Sequence, residues 1–176
     1  MAVVLVAAGA GVAAGYLAGS GSGDTVTTTE TQTVTESSAS GVPEPVEETR
    51  RALLAAAEAG DYEALRRLLP ASGFEYTFGG PVEGGPIAYW QRLDTARPVP
   101  EILADILRMP YVLSRGYYVW PWAYTGASAS DLSDHERTIL APLGDPDALF
   151  VPGTGYLGWR TGIAPDGTWT FFVAGD

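Results

Sequence analysis

The chain changes character at residue 43, and that break limits what each part can fold into. From Ala2 to Gly19 there is no charge, and from Ser20 to Pro43 the sequence is mostly Gly, Ser, Thr and Glu. Sustained hydrophobic periodicity begins only at Glu44. A packed core therefore has to be built from residues 44–176, a length that suffices for one domain without disulfides or metals. The order is that of a membrane segment, a stalk and a folded domain. It places the expected domain on the extracytoplasmic side of the cell membrane.

Residues 2–19 would reach about 27 Å as a helix, against a hydrocarbon core of about 30 Å, which makes them a minimal span. Gly11, Gly15 and Gly19 fall on one face of that helix, a spacing that lets two membrane helices approach and suggests a homodimer. A cleaved signal peptide, leaving a secreted domain, is the alternative. No basic residue follows Met1 closely and no A-x-A triplet borders the stalk, so an anchor is favoured. Seven of the eleven residues Thr25–Thr35 are Thr. Such a segment buries too little apolar surface to offset its ordering entropy, so residues 20–43 are expected to be a disordered stalk. As a flexible chain it would span about 25–30 Å.

Charge and composition narrow the function classes. With 21 acidic and 10 basic residues the net charge is −11, which argues against nucleic acid and anionic lipid head groups as partners. The chain has no cysteine, so disulfides and thiol nucleophiles are excluded. His135 is the only histidine and no spaced acidic loop of the calcium type occurs, so no metal site is expected. The Gly79-Gly80-Pro81 to Gly84-Gly85-Pro86 stretch lacks the lysine of a phosphate loop, and no cofactor is indicated.

Within residues 44–176 the patterning predicts an α+β fold. Pro45 in a first turn with Glu47 and Glu48 starts a helix whose stripe is Val46, Arg50, Leu53 and Ala57. Gly60 ends it, and Asp61 caps a second helix carrying Tyr62, Leu65, Leu68 and Leu69. Strict alternation predicts a strand over Phe74–Phe78, then short helices near 86–93 and 100–109. Tyr117 to Tyr124 also alternates, so that Tyr118, Trp120, Trp122 and Tyr124 share one face. Pro121 there marks an edge strand or a bulge. Ser133 and Glu136 form a capping box that starts a helix to about Leu140. Ala164-Pro165-Asp166-Gly167-Thr168 is a hairpin turn in which Ile163 faces Trp169, Thr161 faces Phe171 and Arg160 lies opposite Phe172. The expected architecture is an N-terminal helical hairpin and short helices packed on an antiparallel sheet that ends in this hairpin.

Two resemblances follow from these residues. Val119-Trp120-Pro121-Trp122, together with Arg160-Thr161-Gly162-Ile163 and Asp166-Gly167-Thr168-Trp169, resembles an uncharacterised family of small exported bacterial proteins. Its members carry a VWP-aromatic strand and a C-terminal DGTW hairpin; the likeness implies no activity. The run of helix, Ala59-Gly60-Asp61, helix and aromatic strand is also similar to the NTF2-like fold, whose cone houses ligands or small isomerase sites. The helix near Ser133 departs from that pattern.

Candidate site residues are few. Tyr118, Trp120 and Trp122 offer a stacking surface suited to sugar rings, although the same rings serve as buried packing. Arg160, flanked along its strand by Gly158 and Gly162, suits a carboxylate anchor at the floor of a groove. No catalytic residue stands out, because solvated surface acids are the default in so acidic a chain. The function expected is non-enzymatic: a membrane-tethered extracytoplasmic domain that binds a small molecule, a cell-wall fragment or an envelope protein. The alternative is a carboxylate-dependent hydrolase or isomerase in an NTF2-like pocket.

Overall fold

The structure is a computed structural model that describes residues 41–94 and 97–175, together with the backbone of Val34 and Thr35. The expected span over residues 2–19, its glycine face (Gly11, Gly15, Gly19) and most of the 20–43 stalk lie outside the described residues. Among the described residues no helix is long and apolar enough to cross a membrane.

The architecture is α+β. Helix α1 (Glu44–Glu58) opens with Pro45 in its first turn beside Glu44 and Glu47, and buries Val46, Leu53, Ala56 and Ala57. Helix α2 (Tyr62–Leu68) is capped by Asp61, whose carboxylate accepts from the Ala64 amide at 2.9 Å. Helix α3 (Gly85–Leu93) buries Ile87 and Trp90, and α4 (Val99–Arg108) buries Leu103, Ile106 and Leu107. Arg50 ties α1 to the end of α4 by donating to the Leu107 carbonyl at 2.8 Å while it holds the Glu47 carboxylate. Helix α5 (Asp134–Leu140) begins with both bonds of the Ser133–Glu136 capping box in place.

The sheet has the order β1-β2-β3-β6-β7 and every neighbouring pair is antiparallel. Its strands are β1 (Val34–Thr35), β2 (Tyr111–Ser114), β3 (Tyr117–Trp120), β6 (Arg160–Ile163) and β7 (Trp169–Val173). Between β3 and β6, the short strands β4 (Phe150–Val151) and β5 (Gly155–Tyr156) form a separate hairpin. Val34 and Thr35, inside the expected stalk, pair with Val112 and Tyr111 along the outer edge of β2.

Alternation along the central strands divides the interior in two. One face carries Tyr111, Trp120, Ile163, Trp169 and Phe172 against Leu53, Trp90, Leu103 and Leu107 of the helices. The other carries Val112 and Val119 against Trp122, Leu140, Phe150 and Tyr156. Both faces are covered, so a strand here reads as buried throughout rather than half polar.

Four local expectations are corrected. The strand expected over Phe74–Phe78 reduces to a single parallel bridge of Glu75 with Phe171, and Phe78 is 52% exposed. Tyr76 turns the chain back there, its hydroxyl accepting from the Val82 amide at 2.8 Å. The strand expected over Tyr117–Tyr124 stops at Trp120, because Pro121 has no N–H to continue the ladder. A 3₁₀ turn, Trp122–Thr125, follows a cis Trp120–Pro121 bond. β3 is also no edge strand: it lies between β2 and β6. Finally, the hairpin keeps Ile163 opposite Trp169 but shifts by one residue at Gly162, so Gly162 meets Phe171, Thr161 meets Phe172 and Arg160 meets Val173. That bulge is what lets Trp169 and Phe172, three residues apart, enter the same core.

Candidate functional site

β2 and β3 are joined by the two residues Arg115 and Gly116, with φ of 51° and 84°. Positive φ at both positions is the requirement of a type I′ turn, whose twist matches the strands it joins. Glycine meets that requirement at no steric cost. Arg115 does not, and it is the one residue other than glycine with positive φ among the described residues.

This turn overhangs two adjoining cavities. The first, about 400 Å³, is lined by Ser114, Arg115, Tyr124 and Thr125 from the β2–β3 region and by Thr154, Tyr156, Leu157 and Arg160 from β5 and β6. The second, about 270 Å³, shares Ser114, Arg115 and Tyr124 and adds Glu75, Tyr117, Thr170 and Phe171 among its walls. Both lie on the sheet face that carries Val119, opposite the face packed by α1, α3 and α4.

Arg160 is 8% exposed and fixed from several sides. Its guanidinium donates to the Gly158 carbonyl at 3.3 Å and the Gly175 carbonyl at 2.9 Å. The group lies 5.3 Å from the Phe78 ring and 5.5 Å from the Tyr124 ring, within cation–π range of both. The flanking glycines permit this arrangement. A Cβ on Gly158 would overlap the Tyr156 phenol, and one on Gly162 would overlap the Phe171 ring. Tyr156 donates to the Trp159 carbonyl at 2.9 Å. Burial pushes its pKa up, and the smaller pull of the Arg160 charge downward does not reverse this, so the phenol stays neutral in ordinary buffers.

The expected stacking residues do not meet at this site. Trp120 is fully buried in the helix-side core, where its ring lies 5.6 Å from that of Tyr111. Trp122 is buried in the opposite core. Tyr118 is half-buried beside Tyr111. None of the three lines either cavity; Tyr124 lines both, and Arg160 the larger. Sequence reasoning missed Ser114, Arg115 and Tyr156. A signal for the first two was present, since Arg115-Gly116 separates two runs rich in aromatic and β-branched residues, the pattern of a tight hairpin.

Carboxylates do not converge at this site. Glu75 lines only the second cavity, and among the described residues no Asp or Glu lines the first. A third cavity, of about 370 Å³ between α1 and α4, holds Glu58, Glu101 and Asp105 together with Arg97 and Arg108. Each acid there is in an ion pair: Glu58 with Arg108 at 2.7 Å, Glu101 with Arg97 at 3.7 Å, and Asp105 with both arginines. Among the described residues no cluster of three His, Cys, Asp or Glu side chains is arranged to hold a metal ion.

The fold and site thus define an α+β domain with a polar, arginine-walled cleft on the sheet face opposite α1, α3 and α4. The chain matches no family model, no curated protein and no solved structure. The two resemblances therefore rest on the residues quoted for them.

Proposed function

We propose that this protein is a membrane-tethered extracytoplasmic binding domain that takes a small molecule, free or as part of a cell-wall fragment, in the cleft beneath the Arg115–Gly116 turn. The observation that carries this reading is Arg160. A buried guanidinium, held by two main-chain carbonyls and two aromatic rings, stands in the wall of a cavity otherwise lined largely by hydroxyl groups. A group fixed in this way loses no rotamer freedom when a ligand arrives, which is how preorganised sites gain affinity. The apolar span at residues 2–19 and the Thr-rich tether support the location.

Binding is favoured over carboxylate-dependent hydrolysis or isomerisation. Those reactions need two acids of separated pKa in one cleft, whereas among the described residues the larger cavity has none and the clustered acids elsewhere are paired with arginines.

The test is thermal unfolding of the full chain in detergent, followed by tryptophan fluorescence, against muropeptides, oligosaccharides, lipids and small carboxylates. An upward shift for one class, lost when Arg160 is replaced by Gln, supports the reading through linkage. If no class shifts the transition, the small-molecule reading fails. An envelope protein, sought by crosslinking on intact cells, then becomes the expected partner. Recovery of the chain in the soluble cytoplasmic fraction would remove the location.

A further inference from the structure

We infer that the cleft selects a small hydroxylated carboxylate, of the sugar-acid or hydroxy-acid kind, and that Arg115 is the side chain that reads its charge. The inference rests on the binding reading above and narrows it.

Three observations lead to it. First, the lining of the larger cavity runs against the composition of the chain. Acids outnumber arginines 21 to 10 overall, yet among the described residues this wall carries two arginines and no Asp or Glu. The wall favours an anion where the rest of the surface repels one. Second, the two arginines are placed for different work. Arg160 is buried and engaged with the Gly158 and Gly175 carbonyls, so it is held in place in the wall. Arg115 is exposed at the rim and lines both cavities, and among the described residues no hydrogen bond or ion pair holds its guanidinium. A planar fork of donors so placed matches a carboxylate in two-point contact. Third, Arg115 sits where its backbone is disfavoured. At φ 51° before Gly116, Asn or Asp is the residue a type I′ turn prefers. A side chain kept against local preference at the mouth of a cavity is where a functional constraint is expected.

The remaining lining specifies the rest of the ligand. Ser114 and Thr154 present hydroxyl groups, which donate and accept; Thr125 presents one that already donates to the Trp122 carbonyl and can accept; and Tyr124 presents a half-buried ring. A ligand with hydroxyls beside its carboxylate satisfies this set. An aliphatic acid would leave the Ser114 and Thr154 hydroxyls without a ligand partner, and a phosphate or sulfate would leave the ring unused.

The decisive variant is Arg115→Asn. It removes the guanidinium while giving the turn its preferred Asn-Gly pair, so stability and binding are expected to move in opposite directions. D-glucuronate and D-gluconate serve as probes, with D-glucose as the neutral comparison. They are titrated into the full chain in detergent, with binding read by calorimetry and unfolding by tryptophan fluorescence. In the unmodified chain the two acids are expected to bind at least about 10-fold more tightly than glucose. In Arg115→Asn the transition should rise by about 2–4 °C, and acid affinity should fall at least about 10-fold with glucose binding unchanged. Arg115→Lys keeps the charge but loses the fork, and should give an intermediate affinity.

Equal binding of acids and glucose, or undiminished acid binding in Arg115→Asn, overturns the inference while leaving a small-molecule site standing. Absence of binding for all three probes also overturns it. The broader ligand screen then decides whether the binding reading itself survives.

Discussion

Two buried tryptophans offer an internal control on how this core was read. Trp120 and Trp169 are both essentially inaccessible and both pack in the helix-side core. They differ in one respect. The Trp169 indole donates to the Thr161 hydroxyl at 2.8 Å, whereas the Trp120 indole N–H is buried with no hydrogen-bond partner among the described residues. Replacing either by Phe deletes the same atoms, so the hydrophobic and cavity costs are similar and largely cancel in the comparison. What remains is polar. Trp169→Phe loses a buried hydrogen bond worth about 1 kcal/mol, while Trp120→Phe removes an unpaired donor whose burial costs about 1–3 kcal/mol. Trp169→Phe should therefore be the more destabilising change by about 2–4 kcal/mol, read from urea unfolding followed by circular dichroism. Equal losses, or a larger loss for Trp120→Phe, would refute the reasoning by showing that the Trp120 N–H is satisfied in solution. The same pair bears on function: a Trp120 variant that stays folded should bind ligand as the unmodified chain does, because Trp120 lines neither cavity.

Other features of the structure lead to equally direct tests. Gly162→Ala places a methyl group into the Phe171 ring, which must move, and should cost about 1–3 kcal/mol in a chemical unfolding experiment. Ser133→Ala removes the capping box of α5 and should cost about 1 kcal/mol, with early exchange of the Glu136 amide. Hydrogen bonding from Arg50 holds the Glu47 carboxyl below its usual value of 4.5, and its bonds from Ser133 do the same for Glu136. For a lowered carboxylate pKa the added stability is present above the unfolded value and lost as pH falls through the native one. Stability should therefore decline as pH drops below about 4.5, and the decline should be shallower in Glu47→Gln, measured as urea midpoints across that range.

Much of the fold was legible because local signals agreed with the final packing. Pro45 and the early glutamates marked the start of α1, Asp61 capped α2, and the Ser133–Glu136 box opened α5. The Pro165-Asp166-Gly167 turn also formed as read, with the Ala164 amide donating to the Thr168 carbonyl at 2.9 Å. The departures share a cause: the alternation of the sequence continues where the backbone cannot follow it. Pro121 ended β3 and turned Trp122 toward the other core, so two tryptophans spaced as neighbours on one face belong to opposite sides of the sheet. The bulge opposite Gly162 moved Arg160 from Phe172 to Val173. β2 went unread because Tyr111–Ser114 is buried on both faces apart from Leu113 and carries no polar alternation.

The candidate site was harder to read for a reason of topology. Its walls come from Glu75, from the β2–β3 turn, from the 3₁₀ turn after Pro121, and from β5, β6 and β7, so no short window of sequence contains the constellation. Arg160 was visible in isolation because two glycines beside one arginine are unusual in a strand. Their role is now physical: each leaves room for a ring, the Tyr156 phenol at Gly158 and the Phe171 ring at Gly162. Those rings stand on the same side of the sheet as the cleft. Within β6, Gly162 thus trades strand propensity for the close packing around Arg160, while Gly158 leaves the same room from the bend just before the strand. Asn at position 115 would suit the turn better, whereas any side chain at Gly158 or Gly162 would have to displace the neighbouring ring. That two positions around one cleft, Arg115 and Gly162, depart from local preference together is the strongest reason to look for function there.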